Sequence, residues 1–173
     1  MKTTWIINSR RIEDYLFTVL ELDHQIIYIS AHENFDEKLK TWIHHHFSFE
    51  IEAINLVKQP TLINDQALDQ LEQYFQGKIK ELTFPFKLYG SEQEIIIWKE
   101  LAKVKYQEII AYSELATRIN KPKAVRYVAT TVGKNPLLIM IPCHRVNRKS
   151  GELGGFSAGL ALKQRLQELE KSH

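Results

Sequence analysis

The hydrophobic pattern of this chain changes its period near residue 90, and that change constrains the fold more than any other feature. Within residues 1–30, the segments TTWIINS and HQIIYIS carry β-branched and aromatic residues in runs and alternation, as strands of an antiparallel sheet do. From Ser91 onward, apolar residues recur at helical spacing in short segments. The sequence therefore predicts an α+β chain, with a sheet-plus-helix domain over residues 1–88 and a mainly helical domain over residues 89–173.

Two helices and a closing strand are predicted after the first strands. The segments NFDEKLKTWIHHHF and NDQALDQLEQYFQG have helical spacing, and Asn64 or Asp65 is the expected N-cap of the second. The segment ELTFPFKLYG resembles a strand that closes the first region. The apolar residues expected to face inward are Leu39, Trp42, Ile43 and Phe47 in the first helix, and Leu68, Leu71 and Phe75 in the second.

The second half predicts a helix-turn-helix. Ser91 is the expected N-cap of SEQEIIIWKELAKV, and Ser113 that of SELATRI. Pro122 suits the first position of a further helix, KAVRYVATTV, which stops at Gly133. A short helix, a tight turn and a second short helix form this motif.

The spacing of apolar residues also predicts which face of each helix is buried. In the helix that follows Ser91, the expected apolar stripe is Ile95, Trp98, Leu101 and Ala102. In the helix that follows Pro122, the residues expected to pack inward are Ala124, Val125, Val128 and Val132. The residues expected to be more exposed are Lys123, Arg126, Tyr127, Thr130 and Thr131.

Charged residues are distributed unevenly along the chain, although the formal net charge is only +2. Residues 1–85 hold 8 Lys and Arg against 13 Asp and Glu, whereas residues 86–173 hold 15 against 8. Residues 118–149, called the basic window below, contain eight basic residues and no acidic one. Such a block is typical of a surface that binds a polyanion, most often nucleic acid, although a solvated face is an equal alternative on charge alone.

The single cysteine, Cys143, lies inside the basic window. One cysteine forms no intramolecular disulfide, which fits a reducing compartment and leaves a thiol that is either buried and inert or reactive. Only about 3% of an ordinary thiol is ionised at pH 7, so a nucleophile needs a base or a positive field. His144 could act as that base through a water molecule, and Glu170 could orient the imidazole.

Other interpretations follow from single features. Three consecutive histidines at 44–46 suggest a metal site, but neighbouring residues on a helix point about 100° apart and seldom bind one ion. A cysteine hydrolase would not need the basic window, and a helix-turn-helix regulator would not need Cys143. No apolar run approaches the roughly 20 residues that span a bilayer, and the N-terminus is charged too early for a secretory signal. We expect a cytoplasmic protein with no membrane partner.

The segments GKNPLLIMIPCHRV and GELGGFSAGLALKQRLQELE resemble the signature of the O6-alkylguanine-DNA alkyltransferases, also called methylated-DNA–protein-cysteine methyltransferases. The resemblance covers residues 90–170. It includes Asn135-Pro136, Pro142-Cys143-His144-Arg145-Val146, the glycine pair 154–155 and Glu170. Residues 1–85 resemble the ribonuclease-H-like first domain of that family in length and pattern.

The resemblance implies DNA repair by direct reversal. An alkyl group, above all methyl, would move irreversibly from O6 of guanine, and from O4 of thymine, to Cys143 after the nucleotide is flipped out of duplex DNA. The protein would be a suicide enzyme with one turnover, no cofactor and no metal. The implied alternative is a non-catalytic protein that binds alkylated bases and recruits other repair factors, but that subgroup typically replaces the cysteine.

The resemblance also assigns roles to residues. Cys143 would accept the alkyl group, His144 would act as base, Glu170 would orient His144, and Asn135 would brace the turn before the active-site segment. Tyr112 would lie at the pocket and protonate guanine N3, and Arg126 would enter the duplex as a finger. The remaining contacts would come from Ser157 and Val146 at the guanine, and from Lys123, Ala124 and Thr130 at the DNA.

The implied partner is the minor groove of double-stranded DNA. The chain would act as a monomer, and cooperative binding on DNA stays open. Two short segments depart from the family pattern, Gln93-Glu94 and Lys105-Tyr106-Gln107-Glu108, and neither is expected to touch His144 or Glu170. The recognition helix is bulkier than usual at Val125, Tyr127, Thr130 and Thr131, which would change DNA affinity or lesion preference.

Overall fold

The computed structural model describes residues 3–49 and 51–173. The chain divides into two compact units, up to Tyr89 and from Gly90 onward. The first unit contains β1 (Thr3–Ile12), β2 (Tyr15–Leu22), β3 (Gln25–Ser30), α1 (Phe35–His46), β4 (Ile54–Lys58) and α2 (Leu62–Phe75). The second contains α3 (Glu92–Leu101), β5 (Ile110–Ala111), α4 (Tyr112–Arg118), α5 (Val125–Gly133), β6 (Val146–Asn147) and α6 (Leu160–Ser172). The α+β class predicted from the sequence is confirmed.

The sheet of the first unit is mixed, whereas the sequence predicted an antiparallel one. Its strand order is β3-β2-β1-β4; the first three strands are antiparallel neighbours and β4 runs parallel to β1. Strand β4, a five-residue strand that lies between the two helices of this unit, was not predicted from the sequence. The predicted strand over residues 81–90 is also wrong. Pro85 interrupts it, and the pairing is limited to a bridge between Ile26 and Phe86.

The two helices of the first unit bury the faces that their spacing predicted. In α1, Leu39, Trp42 and Ile43 are buried and join Trp5 and Leu20 of the sheet in one core. Phe47, also predicted to face inward in this helix, lies just beyond its end in extended backbone and is half-buried. In α2, the predicted apolar residues Leu68, Leu71 and Phe75 are buried.

The predicted N-cap of α2 is wrong. Thr61 caps the helix, and Asn64 is its third residue, whose amide oxygen accepts a 2.9 Å bond from the Thr61 backbone N–H. This reciprocal pair is a capping box. The side chain of Asn64 is buried and also accepts from Asn8, so the tertiary environment decided which of the neighbouring polar residues became the cap.

Helix α3 begins as predicted, with Ser91 as its N-cap in a capping box with Glu94. Its buried residues are Ile97, Trp98 and Leu101, whereas Ala102 is exposed, contrary to the predicted stripe. Trp98 is fully buried and donates its indole N–H to the carbonyl of Thr131, 2.9 Å away, which orients α3 towards α5.

The helix-turn-helix consists of α4 and α5, but both helices start elsewhere than predicted. Helix α4 starts at Tyr112, so Ser113 lies inside the helix and is not its cap. Helix α5 starts at Val125, and Pro122 lies in the preceding turn, which is closed by a 2.9 Å bond from Ala124 N to Lys121 O. The stop at Gly133 is confirmed.

The inner face of α5 is also narrower than predicted. Val128 and Val132 are buried as expected, whereas Val125 is only half-buried. Thr131, expected to be exposed, is buried at 2% because its turn of the helix packs against α3. In the described parts of the chain, no helix is both long and apolar enough to cross a membrane.

Candidate active site and nucleic-acid interface

Cys143 begins a single turn of 3-10 helix, Cys143–Arg145, that leads directly into β6. The turn is fixed by backbone bonds from Cys143 N to Ile141 O (2.8 Å) and from Arg145 N to Pro142 O (2.9 Å). Strand β6 pairs with β5, whose next residue is Tyr112. This small pairing therefore brings the start of α4 and the cysteine segment to the same place.

Asn135 holds the segment that precedes the cysteine. Its amide nitrogen donates to the carbonyl of Ile141 at 2.7 Å, and its amide oxygen accepts from the backbone N–H of Leu137 at 2.9 Å. The same nitrogen lies 3.2 Å from Cys143 Sγ. Asn135 thus joins the end of α5 to the cysteine and also gives the sulfur a hydrogen-bond donor.

The thiol of Cys143 is 3% exposed. Burial raises its pKa to about 11, because a thiolate loses solvation there. Three effects oppose this rise: the Asn135 amide, the positive charge of Lys163, and the backbone N–H groups of Cys143 and His144. The resting thiol is therefore protonated at neutral pH, in surroundings that already contain the donors a thiolate needs.

His144 and Glu170 form a buried pair. His144 Nε2 lies 2.5 Å from Glu170 Oε1, and neither residue exceeds 1% exposure. Burial lowers the pKa of His144, and Glu170 opposes that shift. Because a carboxylate accepts hydrogen bonds, Nε2 carries the hydrogen in this pair, and Nδ1 is the nitrogen that can take up a proton.

Glu170 has further partners that the sequence analysis did not assign. Arg145 donates its Nε to both carboxylate oxygens, at 3.0 and 3.1 Å, and its Nη1 to the carbonyl of Val104 at 2.6 Å. The backbone N–H of Gln107 donates to Glu170 Oε2 at 2.9 Å. The expectation that the Lys105–Glu108 segment does not touch Glu170 is therefore wrong. Gln107 has a positive φ of 69°, and this strained backbone aims its N–H at the carboxylate.

Lys163 was also missed. It is fully buried on α6, and its ammonium donates to the carbonyl of Val146 at 2.6 Å and to the carbonyl of Leu153. Burial lowers the pKa of Lys163 to about 8, and the Cys143 thiolate opposes that shift. A lysine beside an apolar stripe is ordinarily solvated. The two carbonyls that bind Lys163 come from β6 and from the loop that follows it, so the spacing of residues along α6 could not predict that this lysine is buried.

A cavity of about 870 Å³ lies beside the cysteine segment. It is lined by Tyr112, Val125, Arg126, Ala129, Gly133, Arg148, Gly154, Gly155, Phe156 and Ser157. Tyr112 donates its hydroxyl to the carbonyl of Gly155 at 3.4 Å. Gly154 has a φ of +71°, and a Cβ there would lie 3.0 Å from the Tyr112 ring, so glycine lets the loop approach the tyrosine.

Tyr112 connects the cavity with the thiol, which does not itself line it. The pKa of Tyr112 is raised by burial and next by the negative charge of the Cys143 thiolate, while the charge of Arg148 lowers it. Tyr112 is therefore within electrostatic reach of the sulfur on one side and of a cavity arginine on the other. A phenol in this position keeps its proton at neutral pH.

The predicted site residues fall into three groups. The first group comprises the contacting pairs Cys143–Asn135 and His144–Glu170. In the second group, Tyr112, Arg126 and Ser157 line the cavity. In the third group, Lys123 and Thr130 are exposed and Ala124 is half-buried, whereas Val146 is buried and its carbonyl accepts from Lys163.

The three consecutive histidines lie at the end of α1. His45 Nδ1 bonds to the carbonyl of Thr41 and His46 Nδ1 to that of Trp42, each one turn back along the helix. Among residues 3–49 and 51–173, no group of three potential metal-ligating side chains comes together.

Comparison with known proteins places this arrangement in a family. A profile described as "6-O-methylguanine DNA methyltransferase, DNA binding domain" matches residues 92–172. The inducible methylated-DNA–protein-cysteine methyltransferase of Bacillus subtilis is 32% identical over 159 residues, which are 92% of this chain and 86% of that protein. The Haemophilus influenzae methylated-DNA–protein-cysteine methyltransferase is 46% identical over 101 residues, 58% of this chain and 56% of that protein.

A solved structure supports the same assignment over both units. The crystal structure of Mycobacterium tuberculosis OGT in complex with DNA is similar with a TM-score of 0.82 and 29% sequence identity. The match covers 96% of this chain and 93% of that one. A relative of more than 30% identity and a solved structure of similar fold each match more than nine-tenths of this chain. The chain therefore belongs to the family of methylated-DNA–protein-cysteine methyltransferases.

Proposed function

We propose that this protein repairs alkylated DNA by direct reversal, as a methylated-DNA–protein-cysteine S-methyltransferase. It transfers an alkyl group, typically methyl, from O6 of guanine in duplex DNA to Sγ of Cys143. The observation that carries the proposal is the placement of the only cysteine. Its sulfur lies 3.2 Å from the Asn135 amide, and the next residue, His144, bonds to a buried carboxylate. A buried, inert cysteine needs neither partner.

The proton of the thiol leaves first. Because the pKa of Cys143 is raised to about 11, transfer depends on a base that removes this proton when substrate is bound. His144 takes it at Nδ1 through a water molecule, and Glu170 stabilises the imidazolium. The lowered pKa of His144 keeps the imidazole neutral beforehand, so that it can accept the proton.

The thiolate then attacks the alkyl carbon in line with the bond to O6. The S–C bond forms, the C–O bond breaks, and the electron pair remains on the guanine. Tyr112 donates a proton to guanine N3, so that the base leaves neutral, and is reprotonated from solvent. The product is a thioether that ordinary thiol exchange does not reverse. Each molecule therefore acts once and is consumed.

The lesion reaches the thiol by nucleotide flipping, since a base stacked in the duplex cannot approach a thiol that is only 3% exposed. The cavity beside Tyr112 receives the nucleotide, with Ser157 and the backbone near Val146 at the guanine. Arg126 enters the duplex and fills the vacated space. Thymine alkylated at O4 presents the same kind of alkyl–oxygen bond and is a second substrate in this proposal.

The proposed partner surface is α5 with the turn before it, which contacts the minor groove. Lys123 and Thr130 are exposed there, and Ala124 is half-buried. Residues 89–173 form the alkyltransferase and DNA-binding domain, and residues 1–88 form the N-terminal domain. The protein acts as a monomer in the cytoplasm, and cooperativity on DNA is measurable from the shape of the binding isotherm.

The test is incubation with excess duplex containing O6-methylguanine, followed by intact-mass and peptide-mass measurement. We expect one added methyl group, on the peptide that contains Cys143, with the reaction stopping at one equivalent. The variant Cys143→Ser, which keeps the size of the side chain, should bind the duplex and remain unmodified. Continued turnover, or tight lesion binding with no adduct on the wild-type protein, would sink the proposal.

A further inference from the structure

The cavity beside Tyr112 contains a second arginine for which the proposed function has no role. Among the residues that line it, the charged ones are Arg126 from α5 and Arg148, and no acidic side chain is present. Arg148 is the first residue after β6. The cavity, at about 870 Å³, has room for more than a purine base, so part of it is available to the sugar and phosphate of a nucleotide.

The backbone around Arg148 is firmly held. Arg148 N donates to Glu152 O at 2.8 Å, and Gly151 N donates to Arg148 O at 2.9 Å, which closes a tight turn. Gly151 has a φ of +90°, which favours glycine in that turn. Beyond it, the carbonyl of Leu153 is bonded to the buried ammonium of Lys163. The guanidinium therefore extends from a rigid base.

The stem of Arg148 lies beside the loop that lines the cavity, and its side chain is largely exposed. Its Cγ is 3.5 Å from the position that a Cβ on Gly154 would occupy. The side chain is 64% exposed and forms an ion pair at 3.5 Å with Glu152, itself 70% exposed. Such a long, solvated pair contributes little and opens easily.

We infer that Arg148 binds a phosphate of the flipped nucleotide at the mouth of the cavity, while the base lies deeper, towards Tyr112. Guanidinium is the side-chain group best matched to phosphate, because it presents two parallel N–H donors. Binding exchanges the exposed Glu152 carboxylate for the phosphodiester. Arg148 is a positioning residue, since it holds the substrate and not the reacting atoms. This inference rests on the proposed function.

A pair of trinucleotides isolates this contact. Both contain O6-methylguanine at the centre; in one the two phosphates are native, and in the other both are neutral methylphosphonates. Being single-stranded, they remove contacts to an opposite strand. The readout is the rate of methylation of Cys143, followed by mass spectrometry. We expect the wild-type protein to react about tenfold or more faster with the charged trinucleotide, as a charged hydrogen bond predicts.

Three variants separate the cavity arginine from the general basic surface. In Arg148→Gln the preference for the charged trinucleotide should fall by about tenfold, whereas Lys149→Gln, the adjacent exposed lysine outside the cavity lining, should keep it. Glu152→Gln should increase the preference, because Arg148 loses its competing partner. All are surface changes, and equal thermal unfolding temperatures would establish that each variant is folded.

The outcomes distinguish this inference from the proposed function. If Arg148→Gln keeps the preference, if Lys149→Gln removes it instead, or if the wild-type protein reacts equally with both trinucleotides, Arg148 does not bind the phosphate. In each of those cases Cys143 is still methylated. If Cys143 is methylated by neither trinucleotide nor by a lesion-containing duplex, the proposed function itself fails.

Discussion

At the scale of single residues, Glu170 links three parts of the site. One carboxylate accepts from the His144 imidazole, from the Arg145 guanidinium and from the Gln107 backbone. Arg145 in turn holds the carbonyl of Val104. Because these groups are buried, Glu170 balances charge and also fixes geometry, and a change at this position affects folding and chemistry together.

The variant Glu170→Gln separates the charge from the shape. It leaves the buried Arg145 guanidinium without its carboxylate, so we expect the free energy of unfolding to fall by about 3–5 kcal/mol. Urea denaturation monitored by tryptophan fluorescence measures it. Glu168→Gln is the matched control, since Glu168 is exposed on the same helix, and its effect should stay within about 0.5 kcal/mol. Similar losses in both variants would mean that Glu170 does not balance Arg145.

Lys163→Met tests the electrostatics of the thiol. With a pKa of about 8, the ammonium is charged at pH 7 and favours the Cys143 thiolate, so its removal should lower the thiolate fraction at that pH. The rate of alkylation by iodoacetamide at pH 7 measures this fraction, because the chain has a single cysteine. Lys171→Met, at the exposed end of α6, should leave the rate unchanged. An alkylation rate in Lys163→Met that is unchanged or higher would contradict the assigned role of the lysine.

The raised pKa of the thiol also has a consequence for stability. An unfolded cysteine has a pKa of about 8.5, so the folded state binds the thiol proton more tightly. The stability from this group is therefore fully present below about pH 8.5 and is lost as the pH rises through about 11.

At the scale of elements, α5 presents opposite faces to the core and to solvent. Val128, Thr131 and Val132 are buried, while Arg126 and Tyr127 are exposed. Arg126 alone among these five also lines the cavity. The neighbouring ring of Tyr127 is 46% exposed, so the bulk of this residue lies on the solvent face of α5 and not in the core.

Arg126→Ala should slow methyl transfer from duplex DNA far more than transfer from free O6-benzylguanine, because only the duplex substrate has to be flipped. The two second-order rates of Cys143 alkylation give the comparison. Lys134→Ala, an exposed residue just beyond α5 that does not line the cavity, is the control and should affect neither rate strongly. Equal losses on both substrates in Arg126→Ala would show that the arginine acts on the pocket and not on flipping.

Helix positions could be read from the sequence because apolar periodicity reports burial directly. The buried residues of α1 and α2 follow their predicted spacing. Helix starts could be read only in part, since neighbouring polar residues compete for the cap: Ser91 caps α3 as predicted, but Thr61 and not Asn64 caps α2. Strand β4 is short, and its pairing with β1 is a long-range contact that local pattern does not encode.

The sequence singled out Cys143, His144 and Glu170 as candidates, because their residue types suit nucleophile, base and orienting group, and the structure pairs His144 with Glu170. The sequence did not single out Lys163 or Gln107. Their importance depends on which backbone groups face them, the carbonyls of Val146 and Leu153 for the lysine and the carboxylate of Glu170 for the glutamine. Those contacts exist only after the loops have folded.

At the scale of the whole molecule, charge separates along the chain. The acidic excess lies in residues 1–85 and the basic excess in residues 86–173, which include the basic window. A protein that neutralises phosphates releases counterions from DNA, so the logarithm of its affinity falls linearly with the logarithm of salt concentration. If the second unit supplies the DNA contacts, the slope depends on its cations alone.

Lys123→Gln should reduce the magnitude of that slope by about one, because one phosphate contact is lost, and should weaken binding to all sequences equally. Lys38→Gln removes the same charge from the exposed face of α1 in the first unit and should leave the slope unchanged. Fluorescence anisotropy with a labelled, lesion-free duplex at several salt concentrations gives both slopes. An equal reduction in Lys38→Gln would mean that phosphate contacts extend to the first unit, and that the acidic excess there does not keep DNA away.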